Sequence, residues 1–159
     1  MKRRILIFIV AMVLFNSASA QVNVYKGSSG SYGDIVCSVD DGKVYKKSSH
    51  SYSDILCNIR GNRIYKGSSG SYGDILFTIA DGKVYRGAST GYSDIFMTIT
   101  DGRIYEGSSS GYGDIIANIS DGRVYNGPSS GYSDILFNYN GLLTIEEFVA
   151  VWYVVKYVY

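Results

Sequence analysis

Histidine is nearly missing from this chain: His50 is the only one in 159 residues, and it falls in a Gly/Ser-rich segment. A lone histidine in a tolerant loop makes a poor general base. With only two cysteines, Cys37 and Cys57, there is also no His/Cys cluster of metal-ligand spacing. An excess of one charge is missing too, with 15 Lys and Arg against 14 Asp and Glu. No basic patch is therefore available to hold phosphates, and nucleic acid is excluded as a partner. The longest apolar run, Ile5 to Phe15, falls short of the roughly 20 residues that a spanning helix needs. The expectation is a chain with no catalytic residue, no metal, no cofactor and no membrane span once its leader is removed.

That leader is residues 1–20. Lys2, Arg3 and Arg4 precede the apolar run, and Ala18-Ser19-Ala20 places small residues where a signal peptidase cuts. Cleavage leaves Gln21 as the first mature residue and removes three positive charges, so acids slightly outnumber bases. The chain is expected to be exported from a bacterium, to the periplasm, the cell surface or the medium. Asn118-Ile119-Ser120 fits a glycosylation sequon, but it lies in a strand and carries no weight for a bacterial chain.

What is abundant is periodic. A 20-residue unit occurs six times, with Tyr25, Ser29, Tyr32, Asp34 and Ile35 recurring in every copy as far as Tyr125, Ser129, Tyr132, Asp134 and Ile135. Such a period marks stacked units that bury apolar surface against their neighbours. In the third copy, Ile75, Phe77 and Ile79 alternate along one strand, Asp81-Gly82 supplies a two-residue hairpin turn, and Val84-Tyr85-Arg86 returns. The second copy has Gly61-Asn62 at the turn, which also suits a hairpin. A Gly/Ser loop leads to the next strand, and Asp94 and its equivalents are expected to bond backbone N–H groups in it.

The fold class predicted is all-β: an elongated antiparallel meander of six two-stranded hairpins over residues 21–141, with a β-solenoid coil as the alternative. The cysteines separate the two. Equivalent positions in a flat hairpin sheet lie about 9.5 Å apart, too far for a disulfide, which needs about 4.4 to 6.8 Å between Cα atoms. Cys37 and Cys57 occupy a slot held elsewhere by Phe77, Met97, Ala117 and Phe137, so they are expected to be small core hydrophobes.

Over residues 142–159 the pattern changes. Thr144-Ile145-Glu146-Glu147 reads as a capping box, with Leu143 and Phe148 as a hydrophobic staple. A short apolar helix is expected, capping an open end or face of the sheet. Asn138 to Phe148 also resembles part of an EF-hand loop, but the first ligand position falls on Leu136 and a strand leads in.

The repeated tyrosines suggest a binding surface for a protein or a glycan. A regular strand gives an evenly spaced row, so the candidate binding residues are Tyr25, Tyr45, Tyr65, Tyr85, Tyr105 and Tyr125. Packing must claim at least one of the two tyrosine ladders, because a thin repeat core cannot forgo both. The expected function is an exported, non-enzymatic structural or partner-binding surface, the alternative a glycan- or cell-wall-binding module.

The consensus Asp-Gly-Lys-Val-Tyr-Arg-Gly followed by Tyr-Ser-Asp-Ile, with the tail from Leu143 to Tyr153, resembles exported bacterial proteins of tandem 20-residue hairpin units to which no activity is assigned. The Gly-x-x-Tyr-x-Gly element is more loosely similar to MORN repeats, which also form hairpins. The period here is three residues shorter and Ser replaces the aromatic after the second Gly, so the binding roles of that family do not carry over.

Overall fold

The computed structural model describes residues 21–159; the leader assigned to residues 1–20 lies outside them. Twelve strands follow one another: β1 (Val22–Lys26), β2 (Ile35–Asp40), β3 (Lys43–Lys46), β4 (Ile55–Arg60), β5 (Arg63–Lys66), β6 (Ile75–Ala80), β7 (Lys83–Arg86), β8 (Ile95–Thr100), β9 (Arg103–Glu106), β10 (Ile115–Ser120), β11 (Arg123–Asn126) and β12 (Ile135–Tyr139). Each pairs antiparallel with its sequence neighbours, and β1 pairs with β12, so the sheet is a closed barrel.

The hairpin turns are those expected. Asp41, Asp81, Asp101 and Asp121 have φ of 47 to 51°, and the glycine after each is also positive, as a type I′ turn demands. The Gly61-Asn62 turn carries its positive φ at Gly61 alone (58°), the type II′ pattern. A register shift recurs where each return strand meets the next repeat, for example between Val44 and Tyr45. Such bulges increase local twist and bend the sheet towards closure.

Closure corrects the elongated meander and the solenoid alternative alike: the hairpin meander is present, but it curls into a ring. The seam has the register of a hairpin. Phe137↔Lys26 and Asn138↔Tyr25 repeat the pairs Cys37↔Lys46 and Ser38↔Tyr45. In place of a covalent turn, Asn140 N–H donates to Asn23 O (3.1 Å) and Asn23 N–H donates to Asn140 Oδ1 (2.6 Å).

Twelve strands enclose more space than their own side chains fill, since about eight strands suffice for that. The space is taken by the C-terminal helix α1 (Ile145–Tyr153), which continues as a π-helical turn over Val154–Val158. Thr144 Oγ1 accepts from Glu147 N–H (3.2 Å) while Thr144 N–H donates to Glu147 Oε2 (2.9 Å), completing the capping box. The helix is therefore a plug rather than a cap. Phe148, Val149, Ala150, Val151, Trp152 and Val154 are buried in one cluster with the inward ladders Val24, Val44, Ile64, Val84, Ile104, Val124 and Cys37, Cys57, Phe77, Met97, Phe137.

The plug also accounts for the two cysteines of that second ladder, though not for Ala117 on β10. Helix α1 packs closest to β2 through β5, the wall that carries the small Cys37 and Cys57. Cys57 Sγ lies 4.0 Å from Ala150 O. Elsewhere on the ladder large rings fill the lumen: Phe137 packs on Phe148 and Trp152, and Phe77 on Phe96 and Tyr153. Both thiols are free and fully buried.

Candidate functional site: tyrosine clefts on the outer wall

On the outer face, a polar residue stands in the middle of each long strand, in the series Ser38, Asn58, Thr78, Thr98, Asn118 and Asn138. Five of these side chains hold the Gly/Ser loops down against the wall, and Ser38 Oγ is buried without a hydrogen-bond partner. Asn58 Nδ2 donates to Gly67 O (2.8 Å) and Ser69 O (2.7 Å), and Asn138 does the same to Gly27 O and Ser29 O. Thr78 and Thr98 donate to Gly87 O and Gly107 O, both at 2.8 Å. Each loop is thus a petal folded down over the barrel.

Inside the petal the invariant Ser and Asp meet. Ser29 Oγ donates to Asp34 Oδ2 (2.6 Å) and accepts from Ser31 N–H (3.1 Å), and every repeat has the same serine-to-carboxylate bond. The backbone N–H is therefore taken by the serine, not by the aspartate as the sequence suggested.

The petals decide which tyrosines reach water. Tyr45, Tyr65, Tyr85, Tyr105 and Tyr125 are only 6 to 9% exposed, and Tyr25 at the seam is half-buried. They lie under the loops with Ile35, Ile75, Ile95, Ile115 and Ile135, which are also buried. The choice of this ladder as the binding row is corrected: its rings are covered and unavailable for stacking. Tyr32, Tyr52, Tyr72, Tyr92, Tyr112 and Tyr132 carry the exposed rings instead, at 72 to 78%. Each opens a single 3₁₀ turn, such as Tyr32–Asp34, that leads into the next long strand.

An exposed tyrosine faces the petal of the following repeat. Tyr32 Oη bonds Ser48 Oγ and Tyr92 Oη bonds Ser108 Oγ, each at 2.7 Å. In the third and fifth repeats that serine is replaced by Ala88 and Pro128. A shallow cleft of about 270 Å³ lies between Tyr52 and Ser68, floored by Asn58 and bounded by Arg60 and the Asp41-Gly42-Lys43 turn.

The lone histidine packs at the outer wall, with Nδ1 of His50 3.4 Å from Asp40 Oδ2. Asn138 and Asn140, read as part of an EF-hand-like loop, are occupied with the seam and the first petal. Among the described residues, no group of three or more His, Cys, Asp or Glu could hold a metal ion. No helix among them is long and apolar enough to cross a membrane. Burial pushes the Cys57 thiol up from 9.0 to about 12 and raises Cys37 further, with a smaller contribution from Cys57 itself.

Five hairpins and the hairpin-like β12–β1 seam, closed round one axis with six petals, match the description "6-fold beta flower protein", and residues 24–152 match that family. The chain belongs to the 6-fold beta flower family. No curated protein and no solved structure matches it. The matched region runs from β1 through most of the plugging helix, so the helix is part of the flower and not an appendage.

Proposed function

We propose that this beta flower is an exported, non-enzymatic binding protein that engages carbohydrate through its six exposed tyrosines. The observation that carries the reading is their exposure: the rings recur in every repeat, yet about three-quarters of each faces water and none joins the core. An aromatic ring left in water at six equivalent places costs burial that the fold could have used. Its neighbours, Ser, Asn and backbone amides, offer the hydrogen-bonding groups that a hydroxylated ligand uses.

Closure changes the form of the site. Equivalent residues lie two strands apart, at least about 9.5 Å along the wall, and they point away from a common axis. The tyrosines therefore serve separate clefts rather than one continuous row. A shallow cleft binds weakly by itself, but several on one body that engage a repeating polymer gain about 10² to 10⁴ in avidity where the spans match. Export belongs to the same reading, and rests on the basic, apolar and small-residue order of residues 1–20.

Affinity electrophoresis through gels containing cell-wall polysaccharides tests it. The wild type is retarded, and replacing Tyr32, Tyr72 and Tyr112 by Ser weakens the retardation steeply, while Tyr45→Phe leaves it unchanged. Equal mobility of the wild type and a variant with all six exposed tyrosines replaced would refute the carbohydrate reading. The reading as a structural or protein-binding surface would then stand. Amino-terminal sequencing of the secreted protein should begin at Gln21.

A further inference from the structure

Five of the six repeats carry Asp, Ala, Thr, Ser or Asn at the last position of the long strand, but the second repeat carries Arg60. The guanidinium is held from three sides. Its Nε donates to Asn58 Oδ1 (3.2 Å), its Cζ sits 5.7 Å from the centroid of Tyr65, and its terminal nitrogens lie against Gly70. A Cβ at Gly70 would collide with Nη1 and Cζ, so the glycine makes room for the arginine. Related loop positions carry His50, Thr90, Ser110 and Ser130; Gly30 is the other glycine of the series, and a Cβ there would meet nothing within 4 Å.

This fixed cation has no counter-ion. Among the described residues, Lys43 pairs with Asp41 (3.1 Å), the Asp40 carboxylate lies against His50, and no carboxylate reaches Arg60. The Lys43 charge in the same cleft is matched by Asp41, which leaves Arg60 as the uncompensated charge beside the exposed ring of Tyr52. Tyr52 and Ser68 also make no bond like that joining Tyr32 to Ser48, so both hydroxyls are available to a ligand.

We infer that the cleft of Tyr52, Ser68, Asn58 and Arg60 is specialised for an acidic sugar, the Tyr52 ring stacking on the pyranose and the Arg60 guanidinium pairing with a uronate carboxylate. A planar guanidinium held by neighbours on three sides suits bidentate carboxylate recognition. The inference rests on the carbohydrate reading above and adds a chemical class to one of its six clefts.

The test pairs a short oligo-uronic acid with its carboxyl-reduced, neutral counterpart, so that the two ligands differ only in the carboxylate. Calorimetric titration of the full mature chain should show one site that prefers the acid by about tenfold or more, a preference that fades as salt is raised. Arg60→Ala removes the preference, so that acid and neutral ligand bind that site alike; Tyr52→Ser weakens both ligands there. The triple change Ser120→Arg, Pro128→Ser and Ser130→Gly rebuilds the constellation in the fifth repeat, where Asn118 already stands in the place of Asn58, and raises the acid-preferring sites from one to two.

If both ligands bind equally to the wild type, or the preference survives Arg60→Ala, the acidic-sugar assignment falls while the carbohydrate reading stands. If neither ligand binds, both fall. Equal binding of poly-glutamate, insensitive to Tyr52→Ser, would reassign the cleft to acidic peptides and overturn the sugar.

Discussion

Cutting the chain after Leu143 should abolish the barrel, although every strand lies upstream of the cut. The helix buries Phe148, Val149, Val151, Trp152 and Val154 inside the lumen. At about 1.5 to 3 kcal/mol for each large apolar side chain, the plug contributes about 8 to 15 kcal/mol. That is an upper estimate, because an unfolded chain already hides part of this surface. It still equals the whole stability of a typical domain, about 5 to 15 kcal/mol. The loss is doubled in kind, since the inward faces of Val44, Ile64, Met97 and Phe137 would line an apolar hole. Circular dichroism, urea titration and sedimentation of residues 21–143 provide the assay. The fragment should be expanded or aggregated, with no cooperative transition, and adding a peptide of residues 142–159 should restore one. A monomeric fragment with the native spectrum and a cooperative transition would show that the wall closes unaided, and would refute the claim that twelve strands need a core supplied from outside the sheet.

The same reasoning gives smaller effects elsewhere. Lys47 has φ of 53° where five repeats place glycine (Gly27, Gly67, Gly87, Gly107 and Gly127, φ 55 to 63°). Lys47→Gly should therefore stabilise the barrel by about 1 kcal/mol, read as a rise of about 2 to 4 °C in thermal midpoint; a fall would contradict the strain argument. Cys37 and Cys57 should resist a thiol reagent at pH 8 in the native state and react only when the chain unfolds. Because the folded thiols hold their protons above the ordinary 9.0, with Cys57 at about 12, the folded state binds more protons between those values. Stability is thus intact below pH 9 and declines above it, by up to about 1.4 kcal/mol per pH unit for each thiol. A flat denaturation midpoint between pH 9 and 11 would show that the thiols are not desolvated.

The hairpins, their turns and the capped helix were legible because each is a local event, decided by an Asp-Gly pair, a period of two or a Thr-x-x-Glu box. Which tyrosine ladder faces water was not legible from alternation alone. Alternation separates the two faces of a strand, but not which face a loop then covers. One signal was available: Ser, Asn or Thr stands at the same mid-strand position in all six repeats, beginning with Ser38 and Asn58. A polar ladder in the middle of apolar strands needs partners with free carbonyl groups, and the only segments rich in unpaired carbonyls are the Gly/Ser loops. Following that ladder would have laid the petals over Tyr45 and its equivalents and left Tyr52 and its equivalents outside.

Closure had its own signal, carried by the phase of the repeat rather than by any residue type. The described chain opens on a return strand, β1, with no outgoing partner before it, and its last strand, β12, is an outgoing one with no return. Left open, that arrangement exposes two long edges made of the same residues that pair in every other hairpin, and unpaired edges are costly and prone to aggregate. The two half-hairpins are complementary in register, so joining them satisfies both edges at once, with Phe137↔Lys26 equivalent to Cys37↔Lys46. A complete hairpin at either end would have removed this complementarity and favoured an open stack. The helix then follows as a necessity, because a ring of twelve strands that closes to satisfy its edges creates a lumen its own side chains cannot fill. The edge pairing and the plug are two solutions to one problem, and the exposed tyrosines are free for binding because neither solution uses them.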